Sequence, residues 1–106
     1  MTEHNGPAVV AKRVDDGHPD TEEIRELARA AGYTVVGEVT QERTADPALC
    51  LGEGKVDELA ALVASADARM VVFDNRLGPY QMYNLGNELP EGVEVVDRFK
   101  LILDIF

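Results

Sequence analysis

A chain of 106 residues, 45% of them apolar, is enough for one domain with one modest core, and nothing in it suggests a second. Twenty acidic residues against ten basic ones leave a net charge of −10, a poor match to bare nucleic acid, whose phosphates are neutralised by Lys and Arg. The same balance suits a halophilic protein, because molar salt shortens the screening length to about 3 Å and makes self-repulsion tolerable.

No apolar run approaches the roughly 20 residues that span a bilayer. The opening Met1–Pro7 has neither the basic nor the apolar stretch of a secretory signal. Cys50 is alone, which excludes an internal disulfide and fits a cytoplasmic compartment. One cysteine and two scattered histidines, His4 and His18, do not make a typical structural zinc site or a catalytic triad.

In chain order, residues 1–7 read as a disordered lead-in, and the domain occupies 8–106. Ala8–Ala11 is a short apolar run suited to a buried strand, ending at Lys12-Arg13. After an Asp- and Gly-rich loop, Asp20 and Glu23 have the spacing of a capping box. Ile24, Leu27, Ala28 and Ala31 then recur at helical spacing, and Gly32 is placed to end that helix. Thr34–Thr40 is β-rich and reads as a second strand.

A long connection follows from Gln41 to Lys55, broken by Pro47, Gly52 and Gly54. A second helix opens at Lys55 or Val56, with Val56, Leu59, Ala60 and Val63 on one face. Met70–Phe73 is a third strand, closed by Asp74-Asn75-Arg76. Pro79 opens a third helix, which ends before Pro90 and carries Met82, Tyr83 and Leu85, with Tyr83 expected in the core. Val93–Val96 is a fourth strand, ended by Asp97-Arg98, and Leu101–Phe106 begins another apolar element.

Strands alternating with helices call for a three-layer α/β domain: a four-stranded parallel sheet covered by helices on both faces. Right-handed crossovers lead to the strand order 2-1-3-4. Ligands of such sheets meet the carboxyl ends of the strands. That edge gathers Lys12-Arg13, the 41–55 connection, Asp74-Asn75-Arg76 and Asp97-Arg98.

Gly52-Glu53-Gly54-Lys55 is the most distinctive local feature. Two glycines let backbone amides approach an anion ahead of a helix, and Lys55 would add a point charge. It is no complete phosphate loop, since GxxxxGK must be followed by Ser or Thr and here Val56 follows. An RNA or nucleotide contact and a plain glycine-rich helix start both remain open. Asp74 invites comparison with phospho-accepting domains, but the acidic pair those need after the first strand is replaced by Lys12-Arg13. Cys50 reads as a packed thiol. Tyr33, Tyr80 and Tyr83 are too few for a base-stacking platform.

Four segments taken together, GYTVVGEVTQ (32–41), LGEGKVDELA (51–60), VVFDNRLGPYQMYNL (71–85) and VVDRFKLILDIF (95–106), resemble the N-terminal domain of the HflX family of ribosome-associated GTPases. The resemblance covers roughly residues 21–106. It implies a short parallel-sheet domain followed by a helical hairpin and a GTPase domain, so that this chain stops before both. It also implies docking on the large ribosomal subunit and its rRNA, with GTP and magnesium held by the absent domain and no cofactor here. This domain is then not itself catalytic. The alternative function is an independent ATP- or GTP-binding domain using Gly52–Lys55.

Candidate ligand- or RNA-binding residues are Gly52, Gly54, Lys55, Asp74, Arg76, Asn84, Asp97 and Arg98. Two departures from the family pattern are Gly78, where Ser is frequent, and the Leu49-Cys50-Leu51 stretch, where an aromatic residue is common. The apolar Leu101–Phe106 segment would pack on the sheet or support a dimer.

Overall fold

The computed structural model describes residues 5–105. It has four parallel strands, β1 (Gly6–Val14), β2 (Tyr33–Glu42), β3 (Met70–Phe73) and β4 (Glu94–Asp97). Four helices follow them in turn: α1 (Glu22–Ala30), α2 (Glu53–Ala66), α3 (Pro79–Glu88) and α4 (Arg98–Ile105). The strand order is β2-β1-β3-β4, as the crossover argument requires.

Alternation along the strands sorts the core into two layers. Val9, Ala11, Val71 and Phe73 face α2 and α3, where they meet Val56, Leu59, Val63 and Leu85. Ala8, Val10, Met70, Val72 and Val96 face α1 and α4, where they meet Ile24, Ala28 and Leu101. All four residues of β3 are buried, as expected for a central parallel strand covered on both sides.

Several boundaries differ from the sequence reading. Gly6 and Pro7 belong to β1, which outruns Ala8–Ala11 in both directions because Lys12–Val14 continue to pair with Thr40–Glu42. The expected lead-in therefore stops short of Gly6, and residues 1–4 lie outside the described residues. Asp20 and Glu23 do not form a capping box. Thr21 takes the N-cap position; Asp20 Oδ1 accepts from the Glu22 amide at 3.0 Å, and Glu23 turns to Arg98. Gly32, at φ +91°, ends α1 as expected.

Tyr83 is 69% exposed, not core; Leu85 and the partly buried Met82 fill the inner face of α3. α4 begins directly after β4, so the element expected from Leu101 starts at Arg98. Leu101 packs inward while Phe99 and Leu103 face solvent. No helix among the described residues is long and apolar enough to cross a membrane.

Candidate functional site at the carboxyl edge of the sheet

Because all strands run the same way, their carboxyl ends and the starts of all four helices share one edge. β1 and β3 are central, so the residues that leave them are the most enclosed.

Asp74 follows β3 directly and its side chain is only 4% exposed. Its Oδ2 lies 3.1 Å from Lys12 Nζ at the end of β1, and its Oδ1 accepts from Arg98 Nη1 at 2.9 Å. A buried carboxylate needs such partners to stay charged. Arg98 reaches on to Glu23 of α1 at 3.4 Å, so one guanidinium joins β3, α1 and the start of α4. The hydrogen bond to Glu23, together with Asp74 and against partial burial, pushes the Arg98 pKa up.

Asn75 pairs with the backbone of Arg13 in both directions: its Oδ1 accepts from the Arg13 N–H and its Nδ2 donates to the Arg13 carbonyl, each at 2.8 Å. This replaces the backbone ladder where β1 outruns β3. Asp97 faces away from Arg98. Its Oδ1 accepts from the Lys100 amide at 3.1 Å, capping α4, and its Oδ2 accepts from the Leu77 amide at 3.3 Å. Adjacent in sequence, Asp97 and Arg98 thus tie α4 to opposite sides of the edge.

The Gly52–Lys55 feature is a helix start and not a loop. Gly52 is the N-cap of α2, and Glu53, Gly54 and Lys55 form its first turn. The Gly52 amide already donates to Gln41 Oε1 at 2.9 Å, and a Cβ there would meet Arg43 Nε at 3.1 Å. Lys55 Nζ lies 3.2 Å from Glu58. The adjoining cleft, about 250 Å³, is lined by Leu49, Val56, Glu53, Asp57 and Glu88, and its three carboxylates suit a phosphate poorly.

The 43–52 connection is pinned from α3. Gln81 Nε2 donates to the Asp46 carbonyl and Asn84 Nδ2 to the Ala48 carbonyl, both at 3.1 Å. Asp46 and Cys50 exchange backbone hydrogen bonds, and the Asp46 carboxylate accepts from the Ala48 and Leu49 amides. Cys50 sits at φ +69° with its thiol buried; burial pushes its pKa up, partly opposed by Arg13. Asn84 is thereby committed to structure. Arg76 is exposed and lies 5.3 Å from the centre of the Phe99 ring.

The structure joins Asp74 with Arg98, sets Gly52, Gly54 and Lys55 on α2, and directs Asn84, Asp97 and Arg76 elsewhere. Lys12, Asn75, Gln41 and Gln81 complete the polar framework. Only the placement of Lys12 and Asn75 at strand ends could have signalled a role.

The family described as GTP-binding GTPase N-terminal matches residues 18–106. The chain belongs to this family. Among curated relatives, the GTPase HflX of Thermofilum pendens is 51% identical over 86 residues, covering 80% of this chain and 20% of that protein. The GTPase HflX of Thermococcus kodakarensis is 45% identical over 84 residues, covering 79% and 19%. That of Escherichia coli is 40% identical over 93 residues, covering 87% and 21%. The chain thus spans about a fifth of the length of these HflX proteins.

A GTP-binding protein from Sulfolobus solfataricus, solved in complex with GDP, has the same fold with a TM-score of 0.67 at 21% identity, covering 92% of this chain and 30% of that one. A second structure, of SsGBP in complex with GDP, superposes with a TM-score of 0.72 at 20% identity, covering 99% and 28%.

Proposed function

We propose that this domain is the docking module of an HflX-type GTPase on the large ribosomal subunit and is not itself catalytic. The observation that carries the reading is the 51% identity to a GTPase HflX along a domain that corresponds to only a fifth of that protein. GTP and magnesium belong, in this reading, to a further domain, and this one takes no cofactor. The protein works in the cytoplasm, and its acidic surface reflects adaptation to high salt.

The local chemistry agrees with a binding role. The polar groups of the carboxyl edge are spent on one another: Asp74 on Lys12 and Arg98, Asn75 on Arg13, Asp97 on two amides. None is left poised as a nucleophile or general base. Titrating the purified chain with GTP and ATP by calorimetry, with Lys55→Ala beside it, separates this reading from an independent nucleotide site. We expect no saturable heat. Saturable binding that Lys55→Ala abolishes would replace docking with nucleotide recognition at Gly52–Lys55. Within a full-length HflX-type protein carrying this domain, removing the domain should weaken sedimentation with large subunits, and unchanged sedimentation would count against the docking role.

A further inference from the structure

We propose that Asn5 is a site of spontaneous covalent modification, where the side-chain amide closes on the Gly6 backbone nitrogen and is converted to aspartate or isoaspartate. The conversion unties the start of β1 from the end of α1.

Asn5-Gly6 is the one Asn-Gly pair in the chain. Asn75, Asn84 and Asn87 are followed by Arg76, Leu85 and Glu88, whose side chains hinder ring closure on the next nitrogen. Gly6 has no Cβ to do so. Asn5 is exposed and lies just ahead of the first residue of β1, where the backbone opens at low cost. Water therefore reaches the amide, and closure needs movement only at the start of the strand.

The fold itself favours this pair. Gly6 sits at φ +103°, which side chains rarely adopt, and a Cβ there would come 2.9 Å from Arg69 Cδ. Asn5 Nδ2 donates to the Ala31 carbonyl at 2.7 Å, and the Asn5 backbone N–H donates to the Gly32 carbonyl at 2.8 Å. Ala31 is the C-cap of α1, so the side chain satisfies a carbonyl that the helix end leaves without an intrahelical partner.

The chemistry needs only water. The Gly6 nitrogen gives up its proton to hydroxide and attacks Asn5 Cγ. The N–Cγ bond forms, the Cγ–Nδ2 bond breaks, and ammonia leaves. Water then opens the cyclic imide at either carbonyl, giving aspartate or, with the chain routed through Cγ, isoaspartate. Both products exchange the amide donor for a carboxylate beside the negative end of α1. Isoaspartate also adds a carbon to the backbone directly ahead of the Gly6–Tyr33 pairing that opens the β1–β2 ladder.

The intact chain is incubated at neutral and at mildly alkaline pH and followed by peptide mapping with mass spectrometry. Asn5→Gln, whose longer side chain closes a ring slowly, is aged beside it. We expect the amide-to-acid mass gain at residue 5, accelerating with pH, and roughly tenfold or more faster than at the equally exposed Asn87, because Gly6 carries no side chain. Chromatography should resolve the aspartate and isoaspartate forms. The aged chain should unfold at lower urea than the fresh chain, and Asn5→Asp should show the same direction of loss. Asn5→Gln should keep its own midpoint on ageing. Circular dichroism verifies that both variants fold.

Conversion at Asn5 no faster than at Asn87 overturns the inference. Conversion that leaves the urea midpoint where it was overturns it too, because the tie between β1 and α1 would then not depend on the amide.

Discussion

Asp74 Oδ1 and Arg98 Nη1 meet at 2.9 Å where the carboxyl end of β3 faces the start of α4, with the carboxylate almost wholly enclosed. Lys12 closes the other side of the same carboxylate at 3.1 Å. One acidic side chain thereby gathers two basic residues that stand 86 positions apart in the sequence, Lys12 and Arg98, into a single ion cluster.

Replacing Asp74 by Asn removes the charge and leaves Lys12 and Arg98 facing each other. Loss of one member of a buried pair costs about 3–5 kcal/mol. Here both cations keep some access to water, so we expect about 2–3 kcal/mol of destabilisation. Urea unfolding should show the midpoint falling with the slope unchanged.

Asn75→Ala deserts both backbone groups of Arg13 at a part-buried position. Each unsatisfied group costs about 1–3 kcal/mol where water cannot replace the lost partner. The amide protons of residues 12–14 should exchange faster than in the unaltered chain, while those of α1 and α2 change only in step with global stability.

Cys50 gives a pH signature. Burial raises its thiol pKa above the ordinary value of 9.0. Its contribution to stability is complete below that ordinary value and is lost as pH rises through the elevated folded value, because the unfolded chain ionises first. Stability of the unaltered chain should thus decline more steeply above pH 9 than that of Cys50→Ala. Alkylation at neutral pH should be far slower than for an unfolded thiol. Tyr33, raised chiefly by burial and then by Glu94 and Asp104, adds a decline of the same sign in both proteins.

Net charge predicts the response to salt. With twenty acidic residues against ten basic ones, repulsion among exposed carboxylates opposes the compact state. Raising potassium chloride from low to molar concentration should raise Tm, although the same salt weakens the few surface ion pairs. A falling Tm would show those pairs outweigh the repulsion.

The sheet was legible because its signal is local. Four short apolar runs separated by helical periodicity leave few topologies once crossovers are right-handed. The carboxyl-edge residues followed from that topology, and Lys12, Asp74 and Arg98 do meet there. At Gly52–Lys55 the structure has the plain helix start, and only the boundary moves: glycine is accepted at the N-cap, so α2 begins at Glu53 and not at Lys55 or Val56. Asp20 and Glu23 had the spacing of a capping box, yet Arg98, distant in sequence, captured Glu23. Gln81 and Asn84 were illegible as anchors of the 43–52 connection because their partners lie 35 and 36 residues away. Tyr83, expected in the core, is exposed because Leu85 and Met82 already occupy the inward positions of α3.

The docking role is tested most directly by sedimenting this chain with purified large and small ribosomal subunits over a range of salt. The account predicts that the chain pellets with large subunits and not with small ones. A chain that remains in the supernatant with large subunits at every salt concentration would contradict it.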